Sequence, residues 1–262
     1  MARAATMRPY GAGYARRVAR RSGRAMFTTM ILMTLGTAAG YGLYEYVYAS
    51  GNFQLKSIQV VGARLLKAED IVNAAGVSSE DNVIFIRSGL VADRVEAMPY
   101  IDSCKVTRTL PDTLTITITE RYPIATLLVH NHPYEIDENM NILRRLLATE
   151  PHTGPLISQL ADVGAVEPGV QLAQPPLRVA IEVWKAFAET SMARDVTVSE
   201  IAAAGTNDIR MYCDELPFEI RWGRDNVVQQ AMNLDLLWQQ RGPELPCVAY
   251  LDLRFGQDLA CK

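Results

Sequence analysis

Residues 26–48 read MFTTMILMTLGTAAGYGLYEYVY, an apolar run broken only by Glu45 near its end. A helix rises about 1.5 Å per residue, so roughly 20 such residues cross the hydrocarbon core of a bilayer. Tyr41, Tyr44, Tyr46 and Tyr48 gather at the far end, as aromatic rings do at a membrane interface, and Glu45 there falls at headgroup depth. Arg3, Arg8, Arg16, Arg17, Arg20, Arg21 and Arg24 precede the run, with no Asp or Glu among them. Arginines stay on the cytoplasmic side, so residues 1–25 are a cytoplasmic arm, residues 26–48 a transmembrane helix, and the bulk of the chain is exported. Two other readings exist, a signal peptide cleaved at Thr37-Ala38-Ala39 and a twin-arginine signal at Arg20-Arg21. The long basic leader and the apolar, aromatic continuation past Ala39 favour a retained anchor. Gly36 and Gly40 stand in a GxxxG helix-pairing pattern, which is common in membrane helices.

The chain has 262 residues and a formal net charge of −3. With the arm's arginines set aside, the remainder is clearly acidic, which argues against nucleic-acid binding by the folded part. Cys104, Cys213, Cys247 and Cys261 form no CxxC pair, so the sequence does not support a zinc or thioredoxin-like site. In an exported domain Cys213 can pair with Cys247, since both fall in predicted strands of one domain; buried free thiols are the other reading.

Beyond the anchor the pattern turns to α+β. Residues 53–61 read as a strand, with Ile58 and Val60 toward a core, and Gly62 allows the turn that follows. Residues 66–75 read as a short helix with Ile71 and Ala75 on one face, stopped by Gly76. Ser88 is placed to cap a second helix carrying Val91, Val95 and Met98 on one stripe before Pro99. Residues 101–125 then carry a hairpin. Val106 and Leu110 alternate with polar residues, Pro111-Asp112 supplies the turn, and Leu114, Ile116 and Ile118 alternate with threonines up to Glu120-Arg121-Tyr122-Pro123. The order β-α-α-β-β places two helices over one face of a small sheet.

A β-α-α-β-β module directly after a single anchor resembles a POTRA domain. Pro99-Tyr100-Ile101, Pro111-Asp112-Thr113-Leu114 and Glu120-Arg121-Tyr122-Pro123 resemble the corresponding steps of the FtsQ/DivIB cell-division family, with Ala63 where the family's Gly-Asn turn has asparagine. The resemblance implies a POTRA domain over residues 53–122 and a second, β-rich domain over residues 123–262. The residues agree in outline. Residues 125–129 read as a strand, and residues 134–136 and 142–143 as a hairpin around Asp137-Glu138-Asn139, with Asn139 taking the left-handed position. Residues 150–176 read as an irregular connector. Leu177, Ile181, Trp184 and Ala188 mark one helix, and Val227, Ala231, Leu234 and Trp238 another. Strands are expected at 196–201, 208–213, 218–222 and 248–255. In the last, Leu251, Leu253 and Phe255 take one face and Tyr250, Asp252 and Arg254 the other, resembling the family's closing Asp-Leu-Arg-Tyr.

Residues that carry chemistry do not assemble into a catalytic pattern. His130-Asn131-His132, with His152 and Asp137 near in sequence, lacks the third ligand and open position of a catalytic zinc site, and reads as a polar hairpin loop. There is no Gly-x-Ser-x-Gly elbow, P-loop or dinucleotide fingerprint. Glu69-Asp70 and Glu80-Asp81 are adjacent pairs that do not face each other. The expectation is therefore a non-enzymatic protein with no cofactor, metal or small-molecule substrate.

What the family resemblance implies is a divisome scaffold in the inner membrane at the septum. It would bind FtsB- and FtsL-type proteins and link early and late divisome assembly to septal peptidoglycan synthesis. Strand addition to the edge of the closing strand is the expected mode. The family's partner-binding Arg-Tyr falls on Arg254 and Phe255, and Tyr250 and Leu259 complete the expected set. The family's downstream Ser-Gly and tryptophan have no counterpart in Gly256-Gln257-Asp258-Leu259-Ala260-Cys261-Lys262. The alternative is a POTRA component of an outer-membrane assembly or secretion system; it is disfavoured because only one module is visible and no long barrel region follows.

Overall fold

A computed structural model describes residues 12–49, 51–147, 149–243, 245–256 and 260–262 of the chain. Arg3 and Arg8 of the basic arm lie outside the described residues. Helix α1, Ala12–Tyr44, continues into a single π-helical turn at Glu45–Ala49. Within it, Met26–Tyr48 is long and apolar enough to cross a membrane, and none of that window is buried by the rest of the protein.

The chain divides into two compact units. One takes α1 and its continuation to Ile58, with Ser78–Ile86 and Arg108–Leu114; the other takes Gln59–Val77, Arg87–Thr107 and Thr115–Lys262.

The elements that follow the anchor are β1 (Ser57–Val61), α2 (Ala68–Ala75), α3 (Ser88–Glu96), β2 (Ile101–Thr109) and β3 (Thr113–Glu120). They occur in the expected β-α-α-β-β order, and the sheet runs β1-β3-β2. The strand β3 carries the period-two signal to completion: Leu114, Ile116 and Ile118 are buried and the threonines between them are not. Beneath the helices Ile71, Ala75, Val91 and Val95 are buried as their spacing predicts. Four expectations change. Strand β1 starts at Ser57, and Ile58 and Val60 are only half-buried, while Leu55 ahead of them is fully inside. Val106 is half-buried because β2 is an outer strand and dips into the core only at Ile101, and Leu110 falls in the turn after it and is exposed. Ser88 is the first helical residue, and Arg87 holds the cap position without a side-chain hydrogen bond. Met98 is half-buried at the end of its stripe.

Two contacts explain why this module closes where it does. At Gly62, φ is +98°, and a Cβ there would meet the Ile118 carbonyl oxygen at 2.1 Å, so only glycine lets the chain cross β3. Next to it the buried Glu120 carboxylate accepts backbone N–H groups from Arg64 (3.0 Å), Leu65 (2.9 Å) and Leu66 (3.0 Å). Burial pushes that carboxyl up, but the three donors win and hold it below its ordinary range. Arg121 donates to the carbonyls of Pro99 and Ile101 and pairs with Asp102 and the buried Asp137.

After Pro123 the strands are β4 (Ala125–Val129), β5 (His132–Ile136), β6 (Ile142–Arg145), β7 (Leu156–Ser158), β8 (Val198–Gly205), β9 (Asp208–Cys213), β10 (Glu219–Trp222), β11 (Tyr250–Asp252) and β12 (Ala260–Cys261). They form one sheet, ordered β12-β11-β10-β9-β8-β7-β4-β5-β6. Helices α4 (Pro175–Ala188) and α5 (Val227–Arg241) bury Leu177, Ile181, Phe187, Val227, Ala231, Leu234 and Trp238 in one core with the sheet's inner residues. Trp184 is half-buried and donates its indole N–H to the Ile124 carbonyl, and Ala188 is exposed.

The β4–β5 connection is the polar hairpin loop expected of His130-Asn131: both residues have positive φ, 47° and 64°, as a two-residue type I′ turn requires. His132 meets Arg145 of the neighbouring β6 at 2.8 Å. In the next turn Met140, not Asn139, takes the left-handed conformation, because Asp137 accepts the N–H groups of Asn139 and Asn141 and fixes the turn around them. The expected irregular connector contains β7, a three-residue strand lying parallel between β4 and β8. The strand expected at 248–255 is only Tyr250–Asp252, parallel to β10, and it is not the last, since β12 pairs with it antiparallel. Cys247 is disulfide-bonded to Cys261, not to Cys213; Cys213 is a buried free thiol, pushed up to about 12 by burial and the nearby Glu215 and Asp214, and Cys104 is also free.

Glu120→Ala should destabilise the module by about 2–4 kcal/mol, since three N–H donors lose a charged acceptor at once. Urea unfolding of the detergent-solubilised protein measures it. An unchanged midpoint would mean that water satisfies those donors equally well.

Candidate partner-binding surface

On the strands β9, β10 and β11 every second side chain joins the helix-backed core: Ile209, Met211, Ile220, Trp222 and Leu251 are buried. The alternate residues form the opposite face. They are Asp208, Arg210 and Tyr212 on β9, Glu219 and Arg221 on β10, and Tyr250 and Asp252 on β11, with Arg254 just beyond. Arg221 sits opposite Arg210 on one side and Asp252 on the other.

Each arginine is neutralised within its own strand or the segment following it. Arg210 donates to Asp208 (2.9 and 3.0 Å), Arg221 to Glu219 (2.6 Å) and Arg254 to Asp252 (2.5 and 2.9 Å). Tyr212 donates its hydroxyl to Glu219 at 2.8 Å, and the Arg221 guanidinium lies 4.0 Å above the Tyr250 ring. The Arg210 hydrogen bonds hold Asp208 below the ordinary carboxylate range. For Glu219 and Asp252 burial pushes upward, yet the Tyr212, Arg221 and Arg254 donors more than offset it and both stay low. Arg210 and Arg254 are raised by the same hydrogen bonds.

Arg254 is thus a half-buried residue pinned to the buried Asp252, with its guanidinium also reaching the Asn207 carbonyl at 3.3 Å. Its stem lies across Gly223, where a Cβ would meet Arg254 Cγ at 3.2 Å and Asn207 Oδ1 at 2.8 Å. Phe255 is 61 % exposed, so it is not a core residue. Tyr250 is half-buried under Arg221. Leu259 lies outside the described residues. Tyr250 and Arg254 therefore share one face with Asp252 between them, and Phe255 stands free beside them. Sequence reasoning missed Arg221, Arg210, Glu219 and Tyr212 as parts of this face. The signal was there, in opposite charges two residues apart on adjacent strands.

The two rims of the sheet differ. At one end β6 is covered by its own chain: Ile142 donates to the Val170 carbonyl, Gly169 to Ile142, and Leu172 to Met140. At the other end β12 covers β11, with Lys262 exchanging backbone hydrogen bonds with Tyr250. Beyond β12 no further strand is paired among the described residues.

An apolar helix of lipid-crossing length, a helix-backed three-stranded module and a large mixed sheet define a membrane-anchored protein of the POTRA class. Residues 53–121 match the family model of the FtsQ-type POTRA domain. The chain is 23 % identical to the cell division protein FtsQ of Geotalea daltonii over 86 % of its own length and 81 % of that protein's. It is 25 % identical to that of Syntrophotalea carbinolica, over 91 % and 84 %. To that of Mycobacterium leprae it is 27 % identical over 84 % of this chain and 63 % of that protein. Along most of its length the chain is thus similar to FtsQ cell division proteins, and residues 53–121 form a POTRA domain of the FtsQ type.

Two predictions follow from this geometry. Asp208, Glu219 and Asp252 hold protons less tightly folded than unfolded, so their stabilising effect is full above the ordinary carboxylate pKa of about 4 and drains as pH falls below it. Melting temperature should be flat down to about pH 5 and then fall, with a shallower acid limb in Asp252→Asn. The Cys247–Cys261 bond closes a sequence separation of 14 residues. Cys261→Ser should then cost about 3 kcal/mol in urea unfolding, and added reductant should lower the parent protein to the same level.

Proposed function

We propose that the protein is a divisome scaffold that binds FtsB- and FtsL-type membrane proteins through its exported domains, linking early and late assembly to septal peptidoglycan synthesis. The proposed layout is a cytoplasmic arm at 1–25, a transmembrane helix at 26–48, a POTRA domain at 53–122 and a β domain at 123–262. The bulk of the chain faces the extracytoplasmic side at the septum. Support for that orientation comes from the arginines ahead of Met26 and from the Cys247–Cys261 disulfide, a bond that persists in oxidising compartments. The family match at 53–121 supports the POTRA bounds.

The observation that carries the binding mode is the asymmetry of the rims. A partner strand adds where backbone N–H and C=O groups lack a ladder, and the chain itself caps β6 while β12 forms the outer strand at the other end. The expected edge thus moves outward from β11 to β12. Arg254, Phe255, Tyr250 and Leu259 are the proposed flanking contacts, with Phe255 as the aromatic anchor, since exposed aromatics and arginines dominate such interfaces.

Arg254 also neutralises the buried Asp252, so Arg254→Glu acts on the fold as well as on binding. Phe255→Ala is the clean probe. It should leave the melting temperature unchanged and weaken binding of an FtsB-type partner by about 1–3 kcal/mol, roughly 5- to 150-fold. Unaltered co-purification by Phe255→Ala would remove Phe255 from the interface.

A further inference from the structure

The outer end of α1 does not simply lead into a linker. Counting roughly 20 residues for the hydrocarbon core from Met26 brings the chain to Glu45, where the π-helical turn begins. Tyr44, Tyr46 and Tyr48 therefore stand at headgroup depth, and each is more than half exposed.

A loop of the first compact unit is joined to this turn. Asn82 donates its side-chain amide to the Val47 carbonyl at 2.7 Å, and its own Oδ1 accepts the Ile84 N–H at 3.0 Å. Val83 donates to the Phe53 carbonyl at 2.8 Å and is fully buried, and Arg108 donates to the Ile84 carbonyl at 2.7 Å. With Val83 turned in and the backbone held on both sides, Phe85 is turned out and is 48 % exposed. Its ring stacks on Tyr48 with centroids 4.6 Å apart, and Tyr48 stacks on Tyr44 at 4.8 Å. Tyr46 meets Phe53 edge-on at 5.8 Å. The rings of Tyr44, Tyr48 and Phe85 thus form one continuous stack that starts on the helix and ends on the loop.

From this geometry we infer that the loop at residues 82–86 presents Phe85 as a second membrane contact, seated in the phospholipid headgroup layer of the same bilayer that α1 crosses. A ring stacked face to face on Tyr48 shares its depth. Phe85 is apolar throughout, so leaving it half in water costs hydrophobic free energy that the interface recovers. The anchor and the loop then act as two points of attachment, which fix the orientation of this part of the protein to the lipid surface where a single helix would leave it to swivel. This inference rests on the reading of residues 26–48 as a membrane-spanning anchor.

The test uses the full chain in phosphatidylcholine–phosphatidylglycerol vesicles, with Phe85→Trp and, separately, Leu35→Trp in the middle of the anchor. Emission from Trp184, Trp222 and Trp238 is subtracted using the parent chain. Lipids brominated near the carbonyl end or near the methyl end of the acyl chain report depth. The expected result is blue-shifted Phe85→Trp emission, quenched more by the shallow bromines than by the deep ones, with the reverse order for Leu35→Trp. If Leu35→Trp is quenched and Phe85→Trp is not, the loop contact is wrong and the anchor stands; blue-shifted but unquenched emission from position 85 means a protein-buried ring and overturns the inference too. If neither is quenched, the anchor reading falls and takes the loop contact with it.

Discussion

A β-sheet that does not close into a barrel leaves a row of backbone donors and acceptors at each end, and what becomes of those rows governs the larger sheet. This chain spends residues 169–172 on capping β6, which fixes one end as inert. At the other end it places a strand of only two residues, clasped by a disulfide to the segment just ahead of β11. The covalent bond and the backbone hydrogen bonds of Lys262 with Val248, Ala249 and Tyr250 together hold Ala260–Cys261 against Leu251 and Asp252.

The same economy appears at Glu120. A carboxylate at the last residue of β3 accepts three successive N–H groups from the segment that follows Gly62, so strand, turn and the approach to α2 are fixed by one side chain. Arg121, its neighbour, reaches the carbonyls of Pro99 and Ile101 and the carboxylates of Asp102 and Asp137. The Glu-Arg pair that marks the end of the hairpin in the sequence is thus the joint between the small sheet and the hairpin that begins the large one.

Much of this was legible beforehand because local pattern and tertiary burial agreed. The threonine-spaced strand β3, the stripes of α2, α3 and α5, and the apolar anchor all present a periodicity that only one element satisfies. What escaped was set by neighbours distant in sequence. Leu110 looked like a core residue, but it falls in the turn just past β2 and stands in water. Strand β7 has three residues and exists only because β4 and β8 lie on both sides. Strand β12 is shorter still, and its partner cysteine could not be chosen from spacing, since Cys213 and Cys261 were both available to Cys247. At the candidate surface, nothing in the spacing of Arg254 and Phe255 foretold that the charge of Arg254 is committed to Asp252 while the Phe255 ring stands in water.

That commitment of charge bears on what the face can do. Proton transfer in catalysis needs a group whose pKa lies near the working pH. Asp208, Glu219 and Asp252 are moved the other way, downward, and each is tied to an arginine that cannot deprotonate. Such pairs have little to offer as acids or bases, but they are rigid, and rigidity is what recognition rewards, because few side chains need ordering when a partner arrives. The pairing also neutralises the buried Asp252, so a strand docking beside it would meet a preformed polar wall with one exposed ring, Phe255, at its margin. Affinity would then come from the backbone ladder and that ring, while the fixed alternation of Arg210, Arg221 and Arg254 with their carboxylates would sort partners by charge register.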